Sequence, residues 1–502
     1  MKTTPNMAER LSIATLGPRD WMLRLISVRY ESFLWGFSLM QPRLMAASGC
    51  LRAKRAFYRA AKSVPAYAAH LQRTPTGQAA LPETDKENYI KVHPTETRCC
   101  GGALPLKRTM IDESSGSTGT PYNWVRTKRE RLESQHFISY FAKYCYGAES
   151  RIIINAFSMG AWATGLNMGQ ALEANGIVKN VGPDMGKILS TLNFFGPNYP
   201  YLVLGYPPFL KHFIDVAEES GFPFGQYRLD ALVGGEGMSE GLRDYLLKRF
   251  RRVYSGYGAT DLEIGIAGET PVAVAIRRLA WKDPRVKSVL FGSDPRLPML
   301  FQYNPLMHHI ETNENSELLL TITRGSVLSP RIRYNVHDEG GVARFDELEP
   351  RLHELGHDLR NLVPDAGRML RLPFLWVYGR RDSTISVMGA NIYPEDLEQC
   401  LYAEPELARI TRSFCLSLSE QGARVRPRFL FEIETEPTEG LRQQFASATV
   451  RHLAALNADF REALHEYPET LQPEIILHRI GEGPFAANAG RIKQARLLKP
   501  AA

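Results

Sequence analysis

The sequence predicts an α/β protein in two parts: a large N-terminal domain of mixed sheets and helices, and a small C-terminal α+β domain. Three observations predict it. From about residue 150 onward, short apolar runs of strand length alternate with helical stretches, the pattern of at least partly parallel sheets. Near residue 380 a strand-like run passes through charged and glycine positions into a helix opened by proline, which marks a boundary. The ~120 residues beyond it are enough for a small domain. The composition agrees, since 502 residues that are 44% hydrophobic and 23% charged can build two or more substantial cores.

Residues 1–90 read as a basic helical region of the large domain, cut into pieces by Pro65, Pro75 and Pro82. They hold 13 Lys/Arg against 6 Asp/Glu, so this segment alone accounts for the +7 net charge of the chain. Such a face suits an acidic carrier protein, an anionic substrate, a membrane surface or plain solvent. "WMLRLISVRYESFLW", Trp21 to Trp35, spaces its apolar residues as one half-buried helix, in preference to an interfacial one. "FLWGFSLM", Phe33 to Met40, is too short to span a bilayer, and no secretory leader is apparent.

Residues 91–380 form the core of the large domain in this reading. "RIIINAF" (151–157), "YLVLGY" (201–206), "ALVGGEG" (231–237) and "ELLLTIT" (317–323) read as strands. "PFLKHFIDVAEESGF" (208–222) reads as a helix closing at Gly221, and "LRDYLLKRF" (242–250) as another. In residues 381–502, "PRFLFEIETE" (427–436) and "PEIILHRIG" (473–481) read as strands around the helical 439–465. The six cysteines, at 50, 99, 100, 145, 400 and 415, form no CxxC pair. They predict free thiols in a reducing cytoplasm and no structural zinc.

The chemistry centres on "ESSGSTGTPYNW", Glu113 to Trp124, where seven of the first nine residues are Ser, Thr or Gly. Glycines let the backbone N–H groups of such a turn converge on an anion, and the hydroxyls add donors. This suggests a phosphate cradle, though not the Walker type, because no Gly-Lys-Ser/Thr follows. Four further stretches fall in order behind it: "GGEGM" (234–238), "YSGYGATDLEIG" (254–265), "SPRIRYNVHDEG" (329–340) and "GRRDSTISVMGANIYPEDLE" (379–398). In this order and spacing they resemble the adenylate-forming superfamily of acyl-CoA synthetases and adenylation domains, and within it the phenylacetate–CoA ligase branch. The resemblance covers roughly residues 110 to 400.

That resemblance implies an adenylation domain joined by a hinge to a small mobile domain. It also implies ATP and Mg²⁺, a small carboxylic acid, and coenzyme A as co-substrate, with the acid activated as acyl-AMP and then transferred as a thioester. Ser114, Ser115, Gly116, Ser117, Thr118, Gly119 and Thr120 would hold the phosphates. Gly235, Glu236, Tyr257, Gly258 and Thr260 would border the nucleotide, with Tyr257 flat on adenine. Asp338 would accept from ribose hydroxyls, and Arg380 would supply a fixed charge beside them. Asp261 replaces the family's glutamate as the metal ligand and is one methylene shorter. Asp382 matches the hinge, and Gly389 the site of close approach in the thiol half-reaction.

The acyl pocket is expected from residues 155–176 and 233–261, with Phe157, Met159, Trp162, Met168 and Gly234 making it apolar and suited to an aromatic or other hydrophobic acid. Asp230 or Glu236 would be the anchors for an ammonium group if the acid were an amino acid. The family's C-terminal catalytic lysine has no exact counterpart. In "NAGRIKQARLL" Arg491 takes its place and Lys493 lies two residues on, so these two, with Thr118, are the catalytic candidates. The alternatives are transfer to a carrier-protein thiol or an amine, and a lapsed relative that only binds nucleotide. A homodimer is left open, and no nucleic-acid module is visible. "HELGH", His353 to His357, spells a zinc-protease motif, but Gly356 interrupts it and no third ligand follows, so it reads as an exposed inserted helix or loop.

Overall fold

The computed structural model describes residues 4–73, 81–113, 122–161, 163–294, 296–363, 369–380, 385–387, 390–421, 424–466, 468–488 and 496–498. A hairpin, β1 (Thr109–Glu113) and β2 (Asn123–Thr127), closes with Glu113 opposite Asn123. Behind it β3 (Arg151–Asn155), β4 (Gly176–Asn180), β5 (Pro200–Gly205), β6 (Arg228–Gly234) and β7 (Val253–Ala259) run parallel. Every residue of β3 and β5 is buried, as parallel strands covered on both faces require. The helices Ala163–Leu172, Met185–Phe195, Pro207–Glu219 and Glu240–Leu247 are the crossovers between them.

The sheet then turns antiparallel through β8 (Glu263–Gly268), β9 (Met299–Tyr303), β10 (His308–Thr312), β11 (Glu317–Ile322), β12 (Tyr334–Ala343) and β13 (Phe374–Arg380). Among the described residues these eleven strands form one sheet in the order β10-β11-β12-β13-β9-β8-β7-β6-β5-β3-β4. The parallel half reverses its order between β3 and β5. In open α/β sheets such a reversal leaves a crevice beyond the carboxyl ends of the strands, where ligands bind.

Local sequence explains the elements. The Pro207–Glu219 helix opens on two prolines, buries Leu210, Phe213, Ile214 and Ala217 along one stripe, and ends before Gly221, whose φ of +74° suits glycine. The single helix expected over residues 21–35 is two, Leu16–Ile26 and Tyr30–Leu39. The second buries Phe33, Leu34 and Phe37 against Tyr140, Leu370 and Leu372, while Trp21, Met22 and Leu25 of the first stay exposed. One straight rod cannot do both, and Gly36 lets the pair fold together, since a Cβ there would lie 2.8 Å from Ile26.

The HELGH segment also differs from expectation. Its helix, Phe345–Glu354, is not an exposed insertion, because Phe345, Leu348 and Leu352 are buried. Gly356, at φ +86°, turns His357 out of the helix, so the two histidines share no helical face. No metal-competent group of three or more His, Cys, Asp or Glu occurs among the described residues.

Beyond β13 a second core gathers Leu397, Phe429, Phe431, Phe445, Leu453 and Phe460. It includes a short hairpin, β14 (Ile385–Val387) with β15 (Ala390–Ile392), and the sheet of β16 (Thr411–Gln421), β17 (Arg424–Ile433) and β18 (Glu474–Arg479). This C-terminal unit rests on the helices behind the parallel strands. Ser239 N donates to Glu398 Oε2 at 3.0 Å. Buried Lys211 donates to the carbonyls of Arg409 (3.3 Å) and Thr411 (3.1 Å). At Gly241 a Cβ would come within 2.7 Å of Tyr402.

Candidate active site

A cavity of about 130 Å³ opens at the carboxyl ends of the parallel strands, where the topology predicts a crevice. Phe157 reaches it just after β3, Tyr206 just after β5, and Gly234–Gly235 at the end of β6. Tyr257, Gly258 and Thr260 enter from β7 and its turn. Two glycines make room there. A Cβ on Gly234 would lie 3.0 Å from the Gly256 carbonyl, and Gly235, at φ +85°, would place one 2.5 Å from the Tyr206 ring.

At one end the cavity is polar. Tyr257 lines it with one ring face toward Phe301, at a centroid separation of 5.7 Å and 30° between planes. Its hydroxyl donates to Asp338 Oδ2 at 2.7 Å. Asp338 on β12 is the register partner of Arg380 at the end of β13, so two residues 42 positions apart in sequence are brought side by side. Glu236 is half-buried in the turn after β6 and bears on Tyr206. Burial is the main force pushing that phenol up to about 12, and it stays a neutral hydroxyl at working pH.

Asp261 follows Thr260 in the turn between β7 and β8. Tyr334 donates to its Oδ2 at 2.8 Å, and buried Arg331 donates to its carbonyl at 2.9 Å. Arg331 also lies over Trp124 of β2, 5.1 Å from the ring centroid. Arg126 on the same strand pairs with Asp112 at 2.6 Å and donates to the Leu262 carbonyl at 2.9 Å. The hairpin that frames the Ser/Thr/Gly segment is thus fastened to the turn carrying Asp261. Ser114 to Thr120 themselves lie outside the described residues, but Glu113 at their root lines the cavity. Asp261 Oδ1 makes no hydrogen bond among the described residues, which suits a carboxylate that shares Mg²⁺ with phosphates and water.

The other end is apolar. Phe157 and Met168 line it as expected, joined by Phe137, Ile138 and Phe141 from the Lys128–Tyr146 helix. That wall was not singled out in the sequence, where residues 128–146 carry no motif. β8 comes close beneath it through two glycines. A Cβ on Gly265 would lie 2.6 Å from Ile138, and one on Gly268 would run into the Phe141 ring. Met159 is not among the lining residues and packs by Gly165 instead. Trp162 lies outside the described residues.

Asp230 is no ammonium anchor. It sits fully buried toward the opposite end of β6, bound by Arg151, Arg251 and Arg252. Behind β7 a second buried cluster holds the strand: Arg243 spans Glu240 (3.0 Å) and Glu269 (2.5 Å), Arg277 pairs with Glu240, and Ser255 N donates to Glu269 at 2.8 Å. Burial pushes the Glu240 carboxyl up, but Arg243, Arg277 and Arg278 outweigh it and hold it below the ordinary range. Asp382, Gly389, Arg491 and Lys493 lie outside the described residues, as does the side chain of Arg380.

No family model and no curated protein matches the chain. Solved structures do. A 2-hydroxyisobutyryl-CoA ligase in the postadenylation state, in complex with 2-HIB-AMP, superposes with a TM-score of 0.64 at 12% identity, over 92% of this chain and 91% of that one. Its open conformation with 2-HIB-AMP and CoA gives 0.55 at 12% identity, over 92% and 93%. The fold is that of the adenylate-forming enzymes. An anthranilate–CoA ligase in complex with anthranoyl-AMP aligns at 14% identity over 77% of this chain and 64% of that one, with a TM-score of 0.46. The likeness to the 2-hydroxyisobutyryl-CoA ligase does not favour the phenylacetate–CoA ligase branch over others.

Proposed function

We propose that the protein activates an apolar carboxylic acid with ATP as an acyl-AMP and passes the acyl group to coenzyme A. One observation carries this reading: the polar end built on Tyr257 and the apolar end built on Phe157 and the Lys128–Tyr146 helix share one cavity. A carboxylate lying in the apolar half with its head toward Gly234–Gly235 would meet the α-phosphate of a nucleotide held at Tyr257 and Asp338.

Tyr257 presents its ring to adenine, and Asp338 accepts from the ribose. The Ser114–Thr120 loop grips the phosphates, with the Thr118 hydroxyl and the cations Arg491, Lys493 and Arg380 spreading the charge that develops on them. The carboxylate oxygen bonds to the α-phosphorus as the α–β bridge breaks and pyrophosphate leaves. Asp261 would hold Mg²⁺ together with the phosphates, and the ion would supply charge neutralisation there. A thiolate then adds to the acyl carbonyl and AMP departs. Asp382 serves as the hinge and Gly389 as the close approach for that second step. The expected acid is aryl or otherwise apolar, because no charged side chain but Glu113 lines the cavity among the described residues.

Carboxylate-dependent exchange between ATP and pyrophosphate tests this directly. Exchange with apolar acids, and little with glycine or succinate, is the expected result. ATP binding without exchange for any aryl, fatty or amino acid would overturn it.

A further inference from the structure

The N-terminal helices and the turn between two of them expose large apolar side chains that the cavity does not use. Leu11 (62% exposed), Trp21 (66%), Val28 (70%), Trp35 (63%) and Leu39 (62%) all face outward. Met7 and Leu11, Trp21 and Leu25, and Trp35 and Leu39 are each one turn apart, so three successive helices carry a narrow apolar stripe. The inward face is already satisfied by Phe33, Leu34 and Phe37. Large apolar side chains left exposed one turn apart on successive helices suit an interaction surface.

Charge sorting in the same helices indicates the partner. The acids turn inward: Glu9 binds Lys54 and Tyr58, and Asp20 binds Arg52 and Arg55, all on the Pro42–Ser63 helix. Arg10, Arg19 and Arg29 remain exposed and pair with no carboxylate among the described residues, leaving Glu31 as the exposed acid beside them. Exposed tryptophan and leucine in the same segment as these exposed arginines match the boundary between anionic headgroups and acyl chains. A second copy fits less well, because a twofold contact through this face would bring like charges together.

We propose that the N-terminal helical face docks on an anionic phospholipid surface, with Trp21, Trp35 and Leu39 entering the interface and Arg10, Arg19 and Arg29 meeting the phosphates. The helices lie on the membrane, since none of the described helices is long and apolar enough to cross it. The proposal stands apart from the reaction assigned to the cavity.

Flotation of the full chain with vesicles tests it. Vesicles of phosphatidylcholine with phosphatidylglycerol should carry the protein, phosphatidylcholine alone should not, and added salt should release it. Trp21→Ser with Trp35→Ser should weaken partition at least about tenfold. Arg19→Gln with Arg29→Gln should weaken it roughly fivefold per arginine, and both variants should keep the wild-type Tm because these side chains are exposed. Absence of flotation, or flotation that both variants retain, would overturn the proposal. So would a concentration-dependent dimer abolished by the tryptophan variant, or saturable binding to an acidic carrier protein, with no vesicle binding in either case.

Discussion

At the scale of single residues, the hydrogen bond between Tyr257 and Asp338 joins β7 to β12 at the polar end of the cavity. Tyr257→Phe keeps the ring but removes the donor that positions Asp338, so ATP affinity measured by calorimetry should fall about fivefold to tenfold, roughly 1 kcal/mol and less than the full worth of a charge-assisted bond. Tyr334→Phe releases Asp261 Oδ2 from its 2.8 Å partner. An untethered carboxylate holds a cation less well, and the Mg²⁺ concentration giving half-maximal exchange should rise about threefold to tenfold. Tyr257, Asp338 and Asp261 could be picked out as candidates in the sequence because each belongs to one of the ordered motifs. Arg126 and Arg331 were not, because an arginine that fastens a hairpin by bonding carbonyls carries no local signature. Asp230 misled for the converse reason: its position on β6 was plain, but which end of the strand met the cavity was not.

At the scale of elements, β3 and β5 announced themselves as continuous apolar runs, the mark of burial on both faces, whereas β6 runs from Arg228 to Gly234, three residues earlier than the 231–237 expected. The Lys128–Tyr146 helix was harder to place. Phe137, Ile138 and Phe141 have helical core spacing, and only the sheet order shows that their face meets a cavity instead of another helix. The buried cluster behind β7 sets how rigidly that strand is held. Glu269→Gln leaves Arg243 and Ser255 N short of an anionic partner and should cost about 3–5 kcal/mol in chemical denaturation. Replacing Arg243 and Glu269 together by Met and Leu should cost clearly less, because no charge is left buried alone.

At the scale of the whole molecule, the C-terminal unit is docked through groups that respond to pH. His212 sits between Arg412, at 2.5 Å, Glu434, at 3.5 Å, and Lys211. Burial, then Arg412 and Lys211, hold it down from 6.5 to about 4. The folded chain therefore resists a proton that the unfolded chain accepts, so this stability is complete above about 6.5 and is lost as pH falls through 4. Thermal unfolding of the wild type should weaken over that window, by at most about 3 kcal/mol, and His212→Gln should flatten the slope. Little of this was visible beforehand, because Lys211, His212 and Glu398 meet their partners across roughly 160 to 220 intervening residues, a separation that hydrophobic periodicity does not encode.

The floor beneath the apolar end of the cavity is backbone at Gly265 and Gly268, with the rings of the Lys128–Tyr146 helix pressed close above it. A site shaped in this way can be altered unequally. At those two glycines every substitution adds bulk, so variation there can only make the chamber shallower and the menu of acids shorter. Widening has to come from the larger lining side chains, Phe137, Ile138 and Phe141 of the helix among them. A lineage drifting toward longer or broader acids would thus record its history in those side chains, while the two glycines beneath stayed silent.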